Sequence, residues 1–149
     1  MADLVAAHVE PRAAGRSEAW TCPGCGGRAP PLHQVWGLQL PPVLCVQLMR
    51  FNRTPGGWGK SRIPVVVPRS PWRPAAVEAL ADAGAGLWAL RAVVRHHGRP
   101  DSGHYTAEVL RSGRWWHCDD DRVELVAGAG DREPDPDAYA LIFQRLESA

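Results

Sequence analysis

Residues 102–125 read SGHYTAEVLRSGRWWHCDDDRVEL, and this stretch decides the fold. Apolar and polar side chains alternate on both sides of Ser112-Gly113, which is the pattern of strands with two different faces. A two-residue turn at Ser112-Gly113 would place Arg111 opposite Arg114 and fix every pairing beyond them. The stretch therefore predicts an antiparallel β-hairpin.

The predicted register divides the hairpin into two faces, because residues i and i+2 of a strand point to the same side. It pairs Glu108 with His117, Thr106 with Asp119, and His104 with Asp121. One face gathers polar groups: His104, Thr106, Glu108, Leu110, Trp115, His117, Asp119 and Asp121. The other is mostly apolar, and we expect it to pack on the core: Tyr105, Ala107, Val109, Trp116, Cys118 and Asp120.

His104 and Asp119 are diagonal neighbours in this register, about 7–8 Å apart at the backbone and within reach of a side-chain hydrogen bond. An imidazole oriented by a carboxylate is the base-and-orienter part of a nucleophilic triad. A three-residue turn would shift the register by one residue and bring Asp120 to His104 instead. The residues therefore predict a base with one acid of the 119–121 run and leave the choice of acid open.

The cysteines offer no obvious nucleophile. Cys118 falls on the predicted core face, and Cys45 lies in the apolar run VLCVQLM, where a thiol behaves as a small hydrophobe. Cys22 and Cys25 form a CxxC pair in TCPGCGG. Structural zinc usually takes four ligands, so a zinc site and a reduced turn both remain open for this single pair.

The amino-acid composition weighs against several classes of function. The chain has 149 residues, 45% of them hydrophobic and 22% charged, with a formal net charge of +1. These values predict a globular domain and weigh against nucleic acid as a partner. The sequence has neither a stretch of about 20 apolar residues nor a secretory signal, so we expect no membrane contact. Four cysteines without such a signal favour the cytoplasm or nucleus.

The remaining segments predict a fold dominated by strands. We expect a buried strand at Val43–Phe51 and a polar, glycine-rich loop at Asn52–Ser61. Further elements are an edge strand in RIPVVVP, a short helix in PAAVEALADAGAG, and strands in LWALRAVVRHHG and AYALIFQRL. The result is an α+β domain whose strands pair mainly as an antiparallel meander.

Several of these segments resemble the ubiquitin-specific protease family of cysteine deubiquitinases, in the family's order. They are CPGCGG, LQLPPVLCVQLMRF, the His box LWALRAVVRHHGRPDSGHYTAEV, its continuation RWWHCDDDRVELV and the closing AYALIFQR, together spanning Trp20 to Arg145. The resemblance implies a papain-like cysteine protease fold with a mainly antiparallel β palm and part of the zinc-finger-like fingers. Residues 1–149 would be one C-terminal portion of that domain: 1–19 a weakly structured lead, 20–51 the base of the fingers, and 52–149 the palm with the His box.

The resemblance also implies roles for individual residues. His104 would be the general base, Asp119 its orienter and Asp120 a second acid that organises the site. Substrate contacts would come from Ser102, Gly103, Tyr105 and the loop residue Trp58. The segments Asn52–Ser61 and Arg99–Ser102 would be mobile loops beside the channel. Cys22 and Cys25 would be metal ligands for a structural zinc, and catalysis itself needs no cofactor. The partners would be ubiquitin or a ubiquitin-like modifier and its conjugates.

One part of the family pattern has no match in this sequence. The catalytic cysteine of the family sits in the box Gly-x-x-Asn-x-Gly-Asn-x-Cys-Tyr, and neither that box, the thumb helices nor the first CxxC is present. Three functions therefore stay open: the base-bearing half of an isopeptide hydrolase, an inactive chain that binds ubiquitin or a ubiquitin-like modifier without cutting it, or a minimal zinc-ribbon interaction module.

Overall fold

A computed structural model describes residues 7–8, 10–14, 19–33, 40–73, 86–127 and 134–147. Contacts between Cα atoms divide the described residues into a larger unit, within 40–73, 86–127 and 134–147, and a smaller unit, within 7–33. The helix expected in PAAVEALADAGAG falls almost entirely on residues outside the described ranges. No helix within those ranges has the length and apolar character that crossing a bilayer requires.

The strands of the described residues, in chain order, are β1 (Arg12–Ala13), β2 (Trp20–Thr21), β3 (Arg28–Ala29), β4 (Leu32–His33), β5 (Val43–Gln47), β6 (Phe51–Thr54), β7 (Gly57–Lys60), β8 (Trp88–Arg99), β9 (Ser102–Arg111), β10 (Arg114–Asp119), β11 (Arg122–Leu125) and β12 (Ala138–Arg145). In the smaller unit, β2 pairs with β3 and β1 with β4, each pair antiparallel.

The larger unit is built on a six-stranded antiparallel sheet in the order β11-β10-β9-β8-β12-β5. From β8 to β11 the chain forms a meander, with two-residue turns at Pro100-Asp101, Ser112-Gly113 and Asp120-Asp121. Ser112 and Gly113 both have positive φ, 49° and 72°, which matches the twist of a tight hairpin. The expected antiparallel meander is confirmed for these four strands, while β12 and β5 join on the other side of β8.

The core lies against one face of this sheet. Its buried apolar residues are Val67, Trp88, Leu90, Val93, Trp115, Ala138, Leu141 and Phe143. Residues of the 61–73 segment cross this face, where Val67 is buried and Trp72 forms a bridge with Trp88. The expected edge strand in RIPVVVP is therefore wrong, because only Val65 forms a ladder contact there, a single bridge to Asp135. Its flanking prolines carry no N–H to extend the pairing.

The predicted register of the hairpin is confirmed over five pairs, from Arg111 opposite Arg114 to Ala107 opposite Cys118. The predicted pairing of His104 with Asp121 is wrong. Strand β10 ends at Asp119, and Asp121 belongs to the next turn, which returns the chain to pair Asp119 with Arg122. Because the chain turns back after Asp119, the residues that follow no longer pair with β9.

The assignment of the two hairpin faces to core and exterior is wrong, because the polar face is the buried one. Thr106, Glu108 and Trp115 are buried. Glu108 is held by Arg69 Nη2 at 2.9 Å and by Arg95 Nη1 at 3.1 Å. The Arg69 guanidinium also lies 4.1 Å from the Trp115 ring centroid. Burial of a charge is tolerated where charged partners surround it in this way.

The burial predicted for the cysteines of the sheet is also wrong. Cys45 is exposed and Cys118 is half-buried. Both lie on the sheet face opposite the core, since Cys45 pairs with Ile142 and Cys118 with Ala107, whose chain neighbours Leu141 and Glu108 are buried. The side chains around both thiols are apolar, but the described residues leave the two thiols partly accessible to solvent.

The strand expected over Val43–Phe51 ends early, at Gln47. Phe51 begins a separate hairpin, β6–β7, in the segment predicted to be a glycine-rich loop. Arg50 accounts for this break, because its buried guanidinium donates to the carbonyl oxygens of Ala138, Ser61, Ile63 and Asp135 and so turns the chain between two sheets.

Candidate active site

His104 and Asp119 meet at the end of the β9–β10 hairpin. The Nε2 atom of His104 and Oδ1 of Asp119 are hydrogen-bonded, with 48% and 41% of the two side chains exposed. Asp120 follows in the turn with φ +49°, and one ligand atom from each of the three residues lies within 4.8 Å of the others. The structure therefore brings together the three residues that the resemblance names as base, orienter and second acid.

The hydrogen bond between His104 and Asp119 changes the pKa of both residues, and each change favours the charged form of its side chain. The hydrogen bond to Asp119, together with the charges of Asp119 and Asp120, raises the pKa of His104. The same hydrogen bond lowers the pKa of Asp119, and the nearby His104, His117 and Arg122 add to that shift. Because Nε2 is engaged with the carboxylate, Nδ1 is the nitrogen that remains to exchange a proton with a reacting group.

An NMR titration tests this pair. We expect the pKa of His104 to lie above that of an unperturbed histidine, so the ring stays protonated to higher pH. Asp119→Asn should move that pKa down, because an amide offers neither the charge nor the same acceptor. Asp121→Asn is the matched control and should have a smaller effect, since Asp121 lies in the turn. Equal downward shifts in both variants would contradict the assigned pairing.

Strand β8 lies next to β9, the strand that carries His104. His97 pairs with His104 across the strands, and its Nε2 lies 3.0 Å from Thr106 Oγ1. Lys60 donates to Asp137 Oδ1 at 2.9 Å and also to the backbone carbonyl of His96. Lys60 and Asp137 come from β7 and from the residues just before β12, so these contacts fasten the site end of β8 to two other segments.

An aromatic wall lies on the other face of the same strand ends. Tyr105 packs on His96 and Tyr139 with ring centroids 4.8 and 5.6 Å apart, and Phe51 meets His96 edge-on at 5.1 Å. His96 is buried, which with the nearby Lys60 and His97 lowers its pKa and keeps the ring neutral near pH 7. Tyr105 remains 48% exposed, so the wall offers an aromatic surface to a ligand.

Gly103 lies against this wall with no room for a side chain. A Cβ atom there would stand 1.9 Å from His96 Nε2 and 2.8 Å from the carbonyl oxygen of His97. The packing of His96 against this backbone therefore requires a glycine at position 103. The substrate contact implied for Gly103 stays a prediction.

Gly103→Ala should therefore destabilise the chain by about 1–3 kcal/mol, since a buried ring and a carbonyl must both move. We expect a lower urea midpoint and displaced NMR signals for His96. Gly56→Ala is the matched control, because its Cβ would meet no atom within 4 Å. A Gly103→Ala variant as stable as Gly56→Ala would show that the wall is not packed as described.

The other two predicted substrate residues lie apart from this wall. Ser102 is exposed and pairs with Arg99 across the β8–β9 turn, so the segment expected to be a mobile loop is a two-residue hairpin turn. Trp58 lies on β7 with 64% of its surface exposed, and the Arg53 guanidinium lies 6.0 Å from its ring centroid.

Cys22 and Cys25 form a tight knuckle between β2 and β3. The amide of Gly26 donates to the carbonyl of Cys22, and the amide of Cys22 to that of Gly27. Backbone hydrogen bonds from Cys25 and Gly24 lower the pKa of the Cys22 thiol. Two thiolates in this arrangement suit half of a tetrahedral zinc site. Among the described residues, the groups of three or more metal-ligating side chains do not include this pair.

Sequence reasoning missed the residues that support the site from other strands. Tyr139 and Phe51 complete the aromatic wall, and Lys60 with Asp137 fastens β8. Each lies far along the chain from His104, and its neighbours follow only from the strand order β9-β8-β12 and the β6–β7 hairpin. Within the sequence itself, the indication of this wall was limited to two aromatic residues, Phe51 and Tyr139, at strand ends.

Comparison with known proteins agrees with this site. The family profile described as ubiquitin carboxyl-terminal hydrolase matches residues 16–143. The probable ubiquitin carboxyl-terminal hydrolase 4 of Schizosaccharomyces pombe is 29% identical over 133 residues, covering 86% of this chain and 22% of its own length. Human ubiquitin carboxyl-terminal hydrolase 3 is 33% identical over 117 residues, covering 74% and 22%. The chain thus spans about a fifth of the length of these relatives.

Solved structures share the fold. The yeast SAGA DUBm gives a TM-score of 0.71 at 19% identity, covering 99% of this chain and 33% of the solved one. The SAGA DUB module Ubp8/Sgf11/Sus1/Sgf73 bound to monoubiquitin gives 0.68, with the same identity and coverage. The family profile matches most of the residues, including both strands of the site hairpin. The chain therefore belongs to the ubiquitin carboxyl-terminal hydrolase family.

Proposed function

We propose that this chain supplies the base-bearing half of a cysteine deubiquitinase with a papain-like fold. The observation that carries the proposal is the His104–Asp119 pair at the end of a hairpin, in a chain of this family. The general base is His104, its orienter is Asp119, and Asp120 holds negative charge beside them. The substrates are conjugates of ubiquitin or of a ubiquitin-like modifier.

The reaction proceeds by nucleophilic catalysis once a cysteine stands beside Nδ1 of His104. Nδ1 accepts the thiol proton, and the thiolate attacks the carbonyl carbon of the isopeptide bond. The tetrahedral intermediate collapses as the imidazolium gives its proton to the leaving lysine amine, which leaves a thioester. Water then attacks the thioester with His104 again as base, releasing a carboxylate and restoring the thiol. Asp119 stabilises the imidazolium that forms in each half of the cycle.

The surface beside His104 suits a small, extended substrate tail. Gly103 has no side chain, and Tyr105, two residues further along β9, presents an exposed aromatic face. A Gly-Gly tail has no side chains to clash with either group, so it fits where a bulkier tail does not. Ser102 and Trp58 lie on exposed hairpins and contact the modifier outside this surface.

A second function, binding without cleavage, is favoured for the chain taken by itself. Cys118 lies on the sheet face opposite His104, and Cys45 lies on that same opposite face two strands beyond β8. Neither thiol faces the base. The chain alone would then bind a modifier through the aromatic wall and leave the isopeptide bond intact.

We also propose a reducing compartment, cytoplasm or nucleus, and a zinc site completed only when two further ligands join Cys22 and Cys25. All four cysteines are free thiols, which fits such a compartment. Purified chain with one zinc per molecule would instead show that the ligands are already complete.

The proposed function is tested with a reconstituted fusion: the cysteine-box part of the human ubiquitin carboxyl-terminal hydrolase 3 domain, joined by a flexible linker to the N-terminus of this chain. We expect the fusion to hydrolyse a fluorogenic ubiquitin substrate, and the chain alone to bind ubiquitin without hydrolysis. His104→Ala in the fusion should lower kcat by about 10³-fold or more. His117→Ala is the matched control and should retain activity. Full activity in His104→Ala would rule out the assigned base.

A further inference from the structure

The smaller unit carries two thiols that take no part in the chemistry at His104. Cys22 and Cys25 lie on a single helical turn, which is closed by the hydrogen bond from the Gly26 amide to the Cys22 carbonyl oxygen at 2.9 Å. The Cys25 thiol lies within side-chain hydrogen-bonding reach of the Cys22 thiol. Both thiols are free, and Cys25 is exposed while Cys22 is half-buried. The turn therefore presents a dithiol that small molecules in solvent can reach.

The turn holds the two thiols at a spacing close to that of a disulfide. Residues three apart on one helical turn have Cβ atoms about 5–6 Å apart, and a disulfide needs about 3.5–4.5 Å. Pro23 restricts φ at the start of the turn, and Gly26 has φ +68° where the chain leaves it. Forming the bond therefore needs a local closing movement of about 1–2 Å and no rearrangement of the flanking strands.

The two cysteines of the larger unit are not placed to form a disulfide with each other. Cys45 lies on β5 and Cys118 on β10, and three strands lie between β5 and β10 in the sheet. Adjacent strands are about 4.8 Å apart, so the two cysteines are separated by roughly 19 Å. A disulfide spans about 7 Å at most between its Cα atoms. Either thiol can take up a small molecule, but its own unit supplies no second thiol to expel that molecule.

We propose that Cys22 and Cys25 form a redox site, which a small-molecule disulfide such as oxidised glutathione converts to an intramolecular disulfide. The thiolate of Cys25, the more exposed residue, attacks one sulfur of the small molecule and forms a mixed disulfide, and the other half leaves as a thiolate. The Cys22 thiolate then attacks Cys25 Sγ and expels the second half. The two cysteines together lose two electrons and two protons, and the small-molecule disulfide gains them as two thiols.

Oxidation and metal binding compete for the same two sulfur atoms. A cysteine binds a metal as a thiolate, so a disulfide between Cys22 and Cys25 offers no such ligand. Within the part of the chain that the structure describes, no third metal-ligating side chain joins this pair. The pair is therefore open to oxidation in the chain alone. The redox site involves neither His104 nor Asp119, so it stands independently of the proposed hydrolase function.

Peptide mass analysis of the full chain tests the redox site. The chain is freed of metal with EDTA, equilibrated with oxidised glutathione, alkylated with iodoacetamide and digested with trypsin. Cleavage after arginine places the pair in residues 17–28, Cys45 in residues 29–50 and Cys118 in residues 115–122. We expect the 17–28 peptide to lose two hydrogen atoms and to carry neither glutathione nor an alkyl group. Dithiothreitol added before alkylation should restore two alkylated thiols.

Two variants and a denaturant separate the steps. In Cys22→Ser the second thiol is absent, so Cys25 should stop at the mixed disulfide and its peptide should carry one glutathione. Cys45→Ser is the matched control and should form the disulfide to the same extent as the parent chain. In urea the equilibrium constant for the disulfide should fall by about threefold or more, because the unfolded chain must close the turn itself.

Three results would overturn the redox site. One is a parent chain whose 17–28 peptide keeps two alkylated thiols, or carries glutathione as Cys22→Ser does. The second is a dimer on a non-reducing gel that is linked through this peptide, which would make another chain the partner of each thiol. The third is an equal equilibrium constant with and without urea, which would mean that the folded turn does not hold the thiols together.

Discussion

Glu108→Gln should lower the free energy of unfolding by about 3 kcal/mol or more, because it leaves two buried guanidinium groups without their shared carboxylate. Glu108 is 4% exposed, and the side chains of Arg69 and Arg95 are 7% and 12% exposed. Arg95 keeps a second carboxylate partner, because its Nε lies 2.6 Å from Oδ2 of Asp135. Most of the lost interaction energy therefore concerns Arg69. Urea denaturation, followed by the fluorescence of the buried tryptophans, measures the change.

Glu124→Gln is the matched control for this prediction. Glu124 also lies in a strand and pairs with an arginine, Arg122, at 2.7 Å, but both side chains are more than half exposed. Exposed pairs of this kind contribute about 0–1 kcal/mol. Similar decreases in the free energy of unfolding for the two variants would mean that burial does not set the strength of the Glu108 interaction. The ion pairs of Glu108 would then not explain why the polar face of the hairpin is the buried one.

Asp119→Asn in the reconstituted fusion should lower kcat by about 10²- to 10⁴-fold, because the asparagine no longer orients the imidazole or stabilises its cation. The affinity for ubiquitin should remain close to that of the parent fusion. Asp119 shares the sheet face of His104, while Tyr105 of the aromatic wall points to the other side. Active-site titration and kcat measurement separate the two effects.

Asp121→Asn is the control for this variant, since Asp121 occupies the turn and does not bond His104. We expect its kcat to stay within a few-fold of the parent, in line with a substitution at an exposed surface site. An Asp119→Asn fusion that retains full turnover would remove Asp119 as the orienter. Asp120→Asn, tested beside it, would then show whether the neighbouring carboxylate takes that role.

The part of the fold that could be read from the sequence is the part fixed by local contacts. The hairpin register follows from one two-residue turn, and it placed His104 diagonal to Asp119 as the structure has them. Alternation shows which residues share a face, but it does not show which face is buried. That choice depends on Arg69 and Arg95, whose charges make burial of Glu108 tolerable and which come from other segments of the chain.

The same limit applies to the cysteines and the aromatic wall. Cys45 and Cys118 were placed in the core because their neighbours are apolar, yet the surface that would cover them is not supplied by the described residues. Tyr139 and His96 meet Tyr105 only because β12 inserts beside β8, an order that sequence alternation does not encode.

The two-residue turns between β8 and β11 have a consequence for the order of folding. His104 and Asp119 are separated by only 15 residues, so one short loop closure brings them together. The aromatic wall needs Phe51 and Tyr139, which join from distant parts of the chain and form at a greater entropic cost. His104 and Asp119 should therefore come together early in folding, and the aromatic wall should be completed later.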